Sequence, residues 1–111
     1  MIISKEDLIL QLMELPKQIA AAEDKVLQAQ DKVLEAKDIL QLKEDSLWLN
    51  GSIDGKNAEI RSAQMRSFTE LQRIEVSDAE RELKLAAVRL QQLRDRFRAL
   101  RSVVDLLKGV A

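Results

Sequence analysis

Histidine, cysteine and tyrosine are missing from this 111-residue sequence, and glycine, proline and aromatic side chains are scarce. Each absence removes a class of function. Without His there is no imidazole acid–base chemistry, and without His or Cys no thiol nucleophile, disulfide or usual zinc site can be built. Redox compartment cannot be read from cysteines that do not exist. No apolar run approaches the roughly 20 residues that a membrane-crossing helix needs. Ser4, Lys5, Glu6 and Asp7 put polar groups where the apolar stretch of a secretory leader would begin. The expectation is a soluble cytoplasmic protein.

What is abundant is Ala, Leu, Gln, Glu, Lys and Arg, the residues of long helices. The period agrees. Leu8, Leu12, Leu15, Ile19, Ala22, Val26, Ala29, Val33, Ala36, Leu40 and Leu47 recur at alternating steps of three and four, interrupted at Lys43. The register is visible as a repeat, "EDKVLQA" followed by "QDKVLEA", which sets Asp24, Asp31, Asp38 and Asp45 on the outer face. A second seam runs through Val76, Ala79, Leu83, Ala86, Leu90, Leu93, Phe97, Leu100, Val104 and Leu107. Carried backward from Val76, that stripe meets Gln72 and Thr69, whereas Phe68, Leu71 and Ile74 point elsewhere.

These patterns predict an all-α protein: one antiparallel helical hairpin with coiled-coil packing over residues 1–111, assembling into a four-helix bundle. The first helix covers about 5–49 with a kink at Pro16, the bend about 50–56, and a continuous second helix about 57–108. A capping box at Ser77 and Glu80 marks the one place where the second helix could break. Centring the bend between Ser52 and Ile53 places large residues opposite small ones, Ala22 against Leu83 and Leu8 against Phe97. It also pairs Lys25 with Glu82 and Lys32 with Glu75. The two arms differ in charge: residues 5–49 hold six basic and ten acidic side chains, and residues 56–108 hold twelve and eight.

The bend itself, "WLNGSIDGKNAEIR", superficially looks like a phosphate-binding loop. A P-loop requires GxxxxGK[ST] after a buried strand. Here Gly51 and Gly55 are one residue too close, Asn57 replaces the hydroxyl, and the preceding segment is helical. Every residue instead has a place in a turn, with Asn50 and Gly51 ending one helix and Asp54 or Asn57 capping the next. Heptad-spaced aspartates stand about 10.5 Å apart along a helix, too far to share an ion. No base lies beside a nucleophile, so neither catalytic residues nor a cofactor or metal site is assigned.

The string Gly55-Lys56-Asn57-Ala58-Glu59-x-Arg61 resembles one that follows the turn in small coiled-coil proteins of phage and prophage genomes. That group has no established activity. The resemblance implies an accessory protein of the host cytoplasm; Lys56, Asn57, Glu59 and Arg61 are read first as capping and helix-surface pairing, with a polar docking tip as the weaker alternative.

One hairpin seam cannot absorb all the apolar residues. Leu27, Leu34 and Trp48 recur at a second heptad position, and Phe68, Leu71 and Ile74 cluster near the tip, with Ile39, Leu42, Leu49 and Ile60 also off the seam. These predict self-association, most simply a homodimer, with an unidentified protein as the other occupant of that face. A competing nucleic-acid reading rests on Arg89, Arg94, Arg96, Arg98 and Arg101, a basic row able to track phosphates. Against it stand the net charge of −1, the lack of nearby stacking aromatics, and the acidic Glu6, Asp7 and Glu14 at the same end.

Overall fold

The structure, a computed structural model, describes residues 4–110. Three helices follow in order: α1 (Lys5–Leu49), α2 (Ala58–Phe68) and α3 (Glu70–Val110), with no strand among the described residues. The all-α hairpin read from the heptads is the observed fold.

Helix α1 starts where the sequence signals it. Ser4 Oγ accepts a hydrogen bond from the Asp7 N–H at 3.1 Å, and the Ser4 carbonyl accepts from Leu8 at 3.1 Å. Acidic Glu6 and Asp7 occupy the first turn, where the helix dipole favours negative charge. The helix continues through Pro16, whose ring nitrogen leaves the Leu12 carbonyl without its helical donor.

Two compact units can be described. The first comprises Met1–Leu27 with Lys84–Ala111. Its core is Leu15, Ala22, Leu90 and Leu93, against which Ile19, Val26, Phe97 and Leu100 pack. Small Ala22 among leucines lets the two helices approach without voids, and each leucine contributes about 1.5–3 kcal/mol by leaving water. At its rim Glu23 meets Arg94 at 3.9 Å, and Arg96 donates to Gln11 Oε1 at 3.1 Å.

The second unit is Gln28–Leu83. Here Ala29, Val33, Leu47, Ile53, Thr69 and Ala79 are buried. Lys43, the interruption in the first seam, is exposed, and half-buried Glu44 takes the inward step between Leu40 and Leu47. Lys32 pairs with Glu82 at 3.6 Å and Lys37 with Glu80 at 3.9 Å. Both pairs are largely exposed, so each contributes about 0.2–1 kcal/mol at most.

Three sequence expectations are corrected. The register differs by one heptad: Glu82 faces Lys32 instead of Lys25, and Phe97 packs in the Leu15 cluster instead of on Leu8. Sliding by seven residues preserves the apolar match, so periodicity alone cannot select between these registers; the connection does. The second arm is not one helix but two, broken at Thr69 (φ −113°, ψ 15°) and not near Ser77. Leu107, assigned to the seam, is 57% exposed at the end of α3.

Candidate self-association surface

The bend is held by its own side chains. Gly51 has φ +77°, its N–H bonds to the Trp48 carbonyl, and the Ser52 N–H bonds to the Leu47 carbonyl. This is a Schellman ending, in which the left-handed residue lets the chain satisfy the last helical carbonyls. Asn50 Oδ1 accepts from both the N–H and the hydroxyl of Ser52. Asn57 caps α2, its Oδ1 accepting from the Ile60 N–H at 2.9 Å.

Gln64 closes the turn from α2. Its Oε1 accepts from the N–H groups of Asp54 and Gly55 at 3.1 and 2.9 Å, while its Nε2 donates to Asp54 Oδ1 at 2.8 Å. Arg61 Nη1 donates to the Gly55 carbonyl at 3.1 Å. The backbone donors that a phosphate loop would aim at a ligand are thus occupied by a glutamine. Of the four tip-docking residues, Asn57 and Arg61 serve the turn itself. Lys56 and Glu59 are exposed and make no hydrogen bond or ion pair among the described residues. Sequence reading missed Gln64, which no local turn rule identifies because its partners lie nine and ten residues away.

At Thr69 the helix break has a local cause. The Thr69 N–H and Oγ1 both bond to the Met65 carbonyl, at 3.0 and 2.6 Å. A threonine hydroxyl bonded back to residue i−4 bends a helix. Gln72 and Arg73 follow on the inward side; Gln72 Oε1 and Arg73 Nε are buried without a hydrogen-bond partner among the described residues, and Arg73 Nη2 donates to the Arg66 carbonyl. Polar groups therefore occupy the seam here, and Phe68, Leu71 and Ile74 are left facing outward.

The six candidate contact residues are all open to solvent. Leu27 in the first unit, and Leu34, Trp48, Phe68, Leu71 and Ile74 in the second, are 49–64% exposed. Further apolar residues outside the seam are exposed, among them Leu10 and Met13 on α1 and Leu85, Val88 and Leu106 on α3. Leu85 and Val88 each lie two residues beyond a seam position, a spacing that already marks a second face.

The arginine row is exposed throughout, but partly committed. Arg94 meets Glu23, Arg98 meets Asp95 at 3.8 Å, and Arg96 bonds Gln11, while Arg89 and Arg101 make no ion pair among the described residues. Among those residues no cluster of three or more carboxylates is placed to hold a metal ion, and no helix is long and apolar enough to cross a membrane.

Comparison with protein-family models, curated proteins and solved structures finds no match. The functional reading therefore rests on the surface.

Proposed function

We propose that this protein is a non-enzymatic interaction module that self-associates, as a homodimer, through the apolar side chains outside its hairpin seam. The observation that carries the reading is the exposure of Leu27, Leu34, Trp48, Phe68, Leu71 and Ile74. Covering each recovers about 1.5–3 kcal/mol of burial. The total area supports it as well. The chain exposes 8617 Å², whereas a folded monomer of 12.6 kDa leaves about 6,200 Å² accessible. The surplus, about 2,400 Å² per copy, amounts to about 4,800 Å² for a pair, at the upper end of the total that permanent interfaces bury. The resemblance of the Gly55–Arg61 string to prophage coiled-coil proteins supports an accessory, scaffolding role in a host cytoplasm.

Nucleic-acid binding through Arg89, Arg94, Arg96, Arg98 and Arg101 is less well supported, because acidic neighbours face two of the five guanidinium groups.

Sedimentation equilibrium at micromolar concentration tests the proposal. A mass of twice 12.6 kDa is expected, falling to the monomer in Leu34→Asp/Leu71→Asp with helicity retained. A native protein that sediments as a monomer at these concentrations would overturn it.

A further inference from the structure

Within the Gln28–Leu83 unit, one side of the seam between α1 and α3 opens into a groove of about 270 Å³. Ala36, Ile39 and Ala79 form its apolar part, and two alanines leave a hollow that larger seam residues would fill. Around it stand Lys32, Glu35, Glu75, Asp78 and Glu82. Lys32 is paired with Glu82, whereas Glu35, Glu75 and Asp78 are exposed and enter no ion pair among the described residues. Toward the bend the same stripe of α1 turns apolar: Ile39 and Leu42, neighbours at i and i+3, are 43% and 68% exposed. Exposed Asp38, Lys43 and Asp45 border that stripe on α1, and exposed Arg81 follows Asp78 on α3. Six carboxylates thus surround the groove against three cations, one of which is already paired.

We propose that this groove binds a basic amphipathic helix of another protein. An arginine or lysine of that helix lays its stem on Ala36 and Ala79 and sets its charged head among Glu35, Glu75 and Asp78, while apolar side chains one or two turns on cover Ile39 and Leu42. A long basic side chain is apolar along its stem and charged at its tip, and the groove offers both surfaces in that order. A helix lying in a groove presents such anchors at i, i+3, i+4 and i+7. A metal ion is not the fitting ligand, because no three of the described carboxylates converge on one point. The same face of a second copy is not the fitting partner either, since it carries the same six carboxylates and would set like charges together. The proposal goes beyond self-association and uses none of the six residues that carry that reading.

The probe is a fluorescent synthetic peptide of about 14 residues, four helical turns, with arginines on the first two turns of one face and leucines on the next two. A second peptide carries glutamate in place of each arginine. Fluorescence anisotropy with the native full chain is expected to show binding of the arginine peptide and none of the glutamate peptide. Glu35→Gln/Glu75→Gln/Asp78→Asn removes the three free carboxylates at nearly constant volume and is expected to weaken binding about tenfold. Asp24→Asn/Glu59→Gln/Glu70→Gln makes the same change in net charge away from the groove and is expected to leave binding within about twofold. Ile39→Ser is expected to weaken binding as well, which a purely electrostatic attraction would not show. Circular dichroism checks that each variant stays helical; should one unfold, the two peptides on the native protein decide. No binding of the arginine peptide, equal binding of both peptides, or equal weakening by the two triple variants overturns the proposal. A groove variant that alters the protein's own sedimenting mass would make the occupant a second copy and overturn it too. A native protein that sediments as a monomer would overturn self-association alone, because peptide binding is read separately.

Discussion

The amide of Gln64 grips Asp54 ten residues upstream with both of its ends, donating to the carboxylate at 2.8 Å and accepting from the backbone N–H at 3.1 Å. The same oxygen takes the Gly55 N–H. One side chain on α2 thereby fixes the shape of the turn. Gln64→Ala removes all three bonds, at about 0.5–1.5 kcal/mol each, so urea unfolding should show a loss of about 1.5–4.5 kcal/mol. Gln64→Glu keeps the acceptor but sets a carboxylate against Asp54, and its loss should exceed that of the alanine variant. A Gln64→Ala protein as stable as the native one would remove the clamp from this account.

Gly51 tests backbone conformation alone. At φ +77° nothing lies within 4 Å of an added Cβ, so Gly51→Ala meets no steric obstacle and carries only the left-handed penalty of about 1–2 kcal/mol. Gly51→Asn, which tolerates that region better, should lose less. Thermal denaturation of the pair should rank them in that order.

Gly55 tests space. An added Cβ would stand 2.5 Å from Ile60 Cγ2 and 3.0 Å from the Arg61 nitrogen. Gly55→Ala should therefore cost about 1–3 kcal/mol, as overpacking does. Ile60→Ala introduced beside it should recover part of that loss, because the Cγ2 contact goes while the 3.0 Å contacts to the residue-60 Cβ and the Arg61 nitrogen stay. A double-mutant cycle by chemical denaturation gives the coupling directly.

Thr69, 1% exposed, is the most completely buried side chain described. Thr69→Val keeps its volume and removes the hydroxyl that bonds the Met65 carbonyl. A loss of about 0.5–1.5 kcal/mol is expected. If the hydroxyl also holds the break open, hydrogen exchange at residues 69–73 should slow in the variant even as global stability falls.

Labelled single- and double-stranded DNA, titrated at two salt concentrations, separates the interaction reading from the nucleic-acid one. Phosphate binding would weaken steeply with salt, and Arg89→Ala/Arg101→Ala would flatten the dependence. The expected outcome is no binding at low salt.

How far the sequence could be read depends on the range of the forces involved. The helices, the Ser4 start, the Gly51 stop and the Asn57 cap follow from interactions within a few residues, and all are legible. The outward placement of Phe68, Leu71 and Ile74 follows from the phase of the stripe through Thr69 and Gln72. The heptad register was not legible, because Lys25 and Lys32 occupy equivalent places in a repeat and either can meet Glu82. The break at Thr69 was equally hidden: its cause is a side-chain bond to Met65, whereas the capping residues at Ser77 and Glu80 offered a stronger local signal and sit in unbroken helix. Of the candidate surface, residue identities were legible and their exposure required coordinates.

A ruler with identical marks needs a stop, and here the stop is the turn. Because seven-residue steps along α1 and α3 present nearly interchangeable teeth, lengthening or trimming residues 50–57 should index one arm against the other in whole notches, with intermediate offsets skipped. A protein built this way can gain or lose loop residues and still find a well-packed state, but one with its Lys32–Glu82 pairing moved to a new address.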